Sequence, residues 1–166
     1  MKKVLAFIDA LSIWTGKASS WLVFVVSILI CYEVTSRFVF RHATLWVTES
    51  VVFGCGLSYV LGAAWTLKEN RHVKIDMIYD RLSPRQRSIM DSITFVFFAT
   101  YLGFLLWSSS IYAWRSLLVR ETSGSAWDPP IYPIKIALVF SIALLLLQGL
   151  AKFIRDLRRA INGTEL

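Results

Sequence analysis

The sequence predicts an all-α integral membrane protein: four transmembrane helices plus short interfacial amphipathic helices. Three observations predict it. The 166 residues are 56% hydrophobic with a mean hydropathy of +0.58. Only 17% are charged, against about a quarter in a soluble domain, so lipid is the main solvent. Four segments reach the roughly 20 mostly apolar residues a helix needs to cross the hydrocarbon core, and the basic residues gather on one side of the implied topology.

The elements follow in order. In residues 3–15, apolar side chains recur at Val4, Phe7, Ile8, Leu11 and Trp14, with Lys2, Lys3 and Lys17 at the ends. That spacing and charge predict a helix lying in the membrane interface. A cleaved signal peptide fits less well, because Asp9 interrupts the apolar run and no small-x-small cleavage site follows. The first span covers about 18–40 and the second about 46–67. A second interfacial helix is predicted over about 74–82, with Ile75, Ile78, Tyr79 and Leu82 on one face. Ser83 and Pro84 then suit an N-cap and first helical position. The third span covers about 89–118. The loop RETSGSAWDPPIYP, 120–133, carries three prolines that fix backbone angles and predict an ordered connection. The fourth span, about 133–154, is nearly all aliphatic from Leu138 to Leu147 and reads as lipid-facing. No segment repeats another, so residues 1–166 form a single membrane domain.

Four spans place both termini and the loop between spans two and three on one side. Thirteen of the 18 basic residues fall there; Arg37, Arg41, Arg115, Arg120 and Lys135 fall opposite. The positive-inside rule then puts both termini in the cytoplasm of a bacterial or archaeal cell, with the protein in its inner membrane. The same distribution accounts for the net charge of +7 without nucleic acid. No basic run is interleaved with aromatics outside an apolar span.

Residue chemistry excludes most enzyme classes. Cys31 and Cys55 both lie in apolar runs and form no CxxC pair. His42 and His72 fall on opposite sides of the membrane, so they cannot ligate one haem. No phosphate-binding glycine loop, Ser/His/Asp set or metal-ligand cluster appears. The expected inventory is no catalytic residue, no substrate-binding residue, no metal and no cofactor.

Ionisable groups within spans are costly and therefore candidates for function. Glu33 and Arg37 are four apart on one helix face and can pair. With Glu49 and Arg115 they form a predicted polar layer near the periplasmic surface, alongside Trp46, Trp107, Tyr112 and Trp114. The layer reads as an ion-paired clamp between helices or towards a partner; a proton or substrate path is the competing reading. Gly54, Ser58 and Gly62 recur every four residues and make a ridge of small side chains that lets another helix approach closely. That ridge fits packing within the chain or against a partner equally.

An ordered set of residues carries a family resemblance. Arg37 closes the first span, Trp46 and Glu49 open the second, and Gly62-Ala63-Ala64 leads to Arg71-His72-Val73-Lys74-Ile75-Asp76. This chain resembles the small membrane subunit of a tripartite ATP-independent periplasmic (TRAP) transporter. The resemblance implies a partner for each remaining part: a large sodium-coupled membrane subunit, and a periplasmic solute-binding protein that docks transiently and delivers an organic acid or related solute. It implies that this chain enlarges the fixed scaffold and binds no solute itself, with Arg37, Trp46, Glu49, Gly62, His72 and Asp76 serving fold and interface. The small subunit of another tripartite carboxylate transporter, a stand-alone oligomeric transporter and a redox-enzyme anchor are the alternatives. Inverted repeats and broken midplane helices, which mark many self-sufficient transporters, are not visible in the sequence.

Overall fold

The computed structural model of the protein describes residues 2–69 and 84–162. Four helices make up this part: α1 (Lys2–Val39), α2 (Leu45–Lys68), α3 (Pro84–Leu118) and α4 (Tyr132–Asn162). Each contains a stretch long and apolar enough to cross a membrane. Pro84 is the first helical residue of α3, where its missing N–H costs nothing. The predicted helix over 74–82 lies outside the described residues.

The N-terminal interfacial helix is not a separate element. Residues 2–39 form one continuous helix, about 57 Å long at ~1.5 Å per residue, nearly twice the ~30 Å hydrocarbon core. Gly16, the helix-weakening residue at the expected break, is helical, and the Trp65 ring packs into the space a side chain there would fill. The face expected to bind the membrane surface points away from the rest of the chain: Val4, Phe7 and Trp14 are all exposed.

The buried seam of α1 has a different composition. Leu5, Ser12, Ser19, Val26 and Glu33 recur every seven residues, and Thr15 and Ser36 follow two of them by three. This is a heptad-type seam built largely from small hydroxyl side chains. In lipid, burying apolar area gives no advantage over leaving it exposed, so small residues that let backbones approach dominate interfaces. The ridge on α2 meets this seam. A Cβ at Gly54 would lie 2.5 Å from Val26 Cγ2, and one at Gly62 3.3 Å from Ser19 Oγ. Ser19 Oγ donates to the Ser58 carbonyl at 2.7 Å, joining two helices that run antiparallel.

The fourth span is central, not peripheral. α4 packs against α1, α2 and α3, and 33% of its most apolar stretch is buried, against 6% for α3. Ser141, Ile142, Leu144, Gln148 and Ala151 line its inner face. An aliphatic run is compatible with lipid or core alike, which is why Leu138–Leu147 alone misdirects. α3 rests on α4 through a stacked Phe95–Phe153 pair with centroids 4.2 Å apart, and through Phe98 over Gly149.

The two connections among the described residues, α1–α2 and α3–α4, sit at one end. Residues 40–44 reverse the chain tightly: the Ser36 carbonyl accepts from the backbone N–H of Phe40 and of His42, both at 3.2 Å. Ser36 Oγ donates to the His42 carbonyl at 2.8 Å, and Arg41 takes a left-handed φ of 50°. The α3–α4 connection is ordered, as its prolines predict. Thr122 and Pro130 bridge antiparallel, and Gly124 turns the chain at φ 68° with its N–H donating to Asp128 Oδ1 at 2.9 Å.

Candidate functional site

Two polar clusters form at opposite ends of α1. The first is at the end carrying the two connections. Glu33, largely buried, accepts from Arg37 Nε at 2.5 Å through Oε1. The same carboxylate accepts from the Thr44 backbone N–H at 3.3 Å and from the Thr44 hydroxyl. Arg37 also donates to Thr48 Oγ1 at 3.1 Å. The carboxylate thus ties the end of α1 to the start of α2, and its charge is met by a guanidinium and two uncharged donors. A buried carboxylate is tolerated when it is paired and hydrogen-bonded in this way.

The predicted polar layer is only partly assembled. Glu33 and Arg37 come together as expected. Glu49 turns instead to the α3–α4 connection, where Ser123 Oγ donates to Oε2 at 3.2 Å. Arg115 is exposed and makes no ion pair among the described residues. Their common depth was readable from residue counting; their facing was not. Trp46 is 44% exposed and packs beside Tyr32, centroids 6.1 Å apart. Gly54, Ser58 and Gly62 face α1, as described above. His72 and Asp76 lie outside the described residues.

Lys135 Nζ, in the first turn of α4, donates to Glu121 Oε2 of the α3–α4 connection at 2.5 Å. Glu121 lies outside the spans, and the Lys135 bond holds its carboxyl below the usual range against some desolvation. Ser125 Oγ accepts from the backbone N–H of Trp127 and Asp128 at 3.3 and 3.0 Å, which orders the backbone that carries the exposed Trp127.

The second cluster was not anticipated. Arg155 on α4 donates to both oxygens of Asp9, at 2.7 and 2.8 Å. Gln148 Nε2 donates to Asp9 Oδ1 at 3.0 Å. Ser12 Oγ lies 3.0 Å from the Ile8 carbonyl and 3.2 Å from Gln148 Oε1, sharing one proton between them. Gln148 is fully buried and satisfied at both ends of its amide. Asp9 reads in sequence as an interruption of an interfacial helix; the available signal was Gln148, an amide closing an aliphatic run with Arg155 two turns later.

Asp9 and Glu33 are 24 residues apart on one helix, about 36 Å along its axis. Between them the α1–α2 seam is closed by Val26 against Gly54, Ser19 against Ser58 and Gly62, and Gly16 under Trp65. Both clusters are knots that fasten helices. No group of three or more His, Cys, Asp or Glu side chains placed to hold a metal occurs among the described residues.

No curated protein matches the chain. The family model described as "Tripartite ATP-independent periplasmic transporters, DctQ component" matches residues 26–159, from the middle of α1 nearly to the end of α4. That span contains the Glu33–Arg37 knot, the ridge of α2 and the whole of α3 and its connection. The chain therefore belongs to the DctQ component family of tripartite ATP-independent periplasmic transporters.

Proposed function

We propose that the protein is a non-catalytic scaffold subunit: it packs against a large, sodium-coupled membrane subunit and fixes that subunit's stationary part in the bilayer. A periplasmic solute-binding protein docks on the assembly and delivers an organic acid or related solute. One observation carries the reading. The two polar knots lie about 36 Å apart with a close-packed α1–α2 seam between them, which suits a rigid support better than a solute path along that seam. The end bearing Asp9 and Arg155 faces the cytoplasm, in keeping with the basic residues on that side. The end bearing Glu33, Glu49 and the Trp127 loop faces the periplasm. Glu33, Arg37 and Glu49 fasten that end, while Trp46 and Arg115, both exposed there, are free to meet a partner.

Reconstitution tests this reading. The purified chain alone in liposomes with an imposed sodium gradient is expected to accumulate none of a panel of labelled organic acids. Adding the membrane partner and binding protein restores uptake. Sodium-dependent uptake by the chain alone contradicts the proposal and makes it a self-sufficient transporter.

A further inference from the structure

We propose that the outer face of α1 carries a binding site for one phospholipid with a net negative headgroup, held by Lys17 and Trp21 with an acyl chain laid over Phe24 and Ile28. A depression on this face is lined by Lys17, Ser20, Trp21 and Phe24, positions i, i+3, i+4 and i+7 of one helix and so on a single side. Trp21 and Phe24 are 71% and 58% exposed and meet edge-to-face at 6.1 Å, so the two rings brace each other as a wall.

Lys17 is the unusual member. It has no ion-pair partner among the described residues. Asp9 is eight residues away, about 12 Å along the helix, and is held by Arg155. Glu69 pairs with Lys68 at 3.6 Å. A cation in a lipid-facing wall is costly unless it reaches the headgroups or meets an anion. The polar hydrogens offered here belong to groups that only donate, the Lys17 ammonium and the Trp21 indole N–H; Ser20 has directed its proton to the Gly16 carbonyl at 3.1 Å. Donors in a bilayer wall match the phosphodiester oxygens of a lipid. Phe24 and the exposed Ile28 continue from the same end towards the membrane centre, where the acyl chain of that lipid would run. A zwitterionic headgroup fits less well, because the depression has no carboxylate to receive its cationic half.

The test titrates the purified chain in neutral detergent with phosphatidylglycerol or phosphatidylcholine while following thermal unfolding by tryptophan fluorescence, with native mass spectrometry counting retained lipid. Phosphatidylglycerol is expected to raise the Tm saturably with one lipid retained per chain, and phosphatidylcholine to do neither. Lys17→Gln removes both effects, Lys17→Arg keeps them, Trp21→Phe weakens them, and Lys3→Gln leaves them intact. Equal stabilisation by the two lipids, or an unchanged response in Lys17→Gln, overturns the proposal. Should Lys17→Gln fail to fold, an unchanged response in Trp21→Phe does the same.

Discussion

Two glycines on α2, one turn's half apart in sequence, are expected to respond to alanine with opposite signs. At Gly54 an added methyl would stand 2.5 Å from Val26 Cγ2, about 1.0–1.5 Å inside a favourable carbon contact of ~3.5–4.0 Å. Val26 cannot swing aside readily, because a β-branched side chain in a helix keeps essentially one χ1 rotamer. Relief must come from separating α1 and α2, which also stretches the 2.7 Å bond from Ser19 to the Ser58 carbonyl. Overpacking of this kind costs about 1–3 kcal/mol, and each kcal/mol lowers Tm by about 2–4 °C in a chain of this size. At Gly56 nothing lies within 4 Å of the added methyl, so alanine gains about 0.5–1 kcal/mol from helix propensity alone. Thermal unfolding of both variants in detergent micelles, with Val26→Ala introduced into the Gly54→Ala chain, measures the difference. Gly54→Ala is expected to melt below the parent and Gly56→Ala at or above it, and Val26→Ala is expected to recover part of the Gly54→Ala loss. Equal melting of the two single variants, or no recovery in the double, refutes the close-packed seam.

Other consequences follow from the two knots and the ordered loop. Asp9→Asn and Arg155→Leu should each destabilise the termini end by about 1–3 kcal/mol, as expected for hydrogen bonds to a charged group. Their double variant should lose less than the sum, a coupling read from a double-mutant cycle of unfolding free energies. Arg37→Gln strands the largely buried Glu33 carboxylate with Thr44 alone and should cost about 1–3 kcal/mol; adding Glu33→Gln should recover part of that, whereas no recovery would mean the pair is not one unit. For Glu121 the folded pKa lies below its unfolded value, so its contribution is complete above the unfolded value, about pH 4.3. It is lost as pH falls through the lower folded value. Trp127 fluorescence should therefore report loosening of the loop below about pH 4, and Glu121→Gln should abolish that acid transition.

The four spans were legible in the sequence because length and hydropathy alone decide whether a helix crosses a bilayer. The start of α3 at Pro84 and the order of the proline-bearing loop were legible too, since proline acts through its own backbone. What faces what was not. The spacing of Val4, Phe7 and Trp14 marked a membrane-facing side of α1, and all three are exposed, but Ser12, Thr15 and Ser19, which carry its buried seam, stood out by no pattern of their own. Apolar side chains find lipid as good a neighbour as protein, so within a span they carry no information about facing, and small hydroxyl residues carry most of it. The same principle hid the central position of α4 behind its leucines. The small ridge of Gly54, Ser58 and Gly62 was visible from its spacing, and it meets Val26 and Ser19 of α1. The Glu33–Arg37 pair was predictable because both members are local on one helix. The Asp9–Arg155 pair joins residues 146 positions apart, and nothing in the chain's periodicity connects them.

The central claim, that this chain is one subunit of a larger membrane assembly, is tested most directly by isolating it from its native membrane. Tagged protein is extracted in mild detergent, and mass spectrometry identifies what co-elutes. The account predicts one large polytopic membrane protein recovered at about one-to-one with this chain. Recovery of the chain alone, or with redox enzymes in place of a large transport subunit, would contradict it.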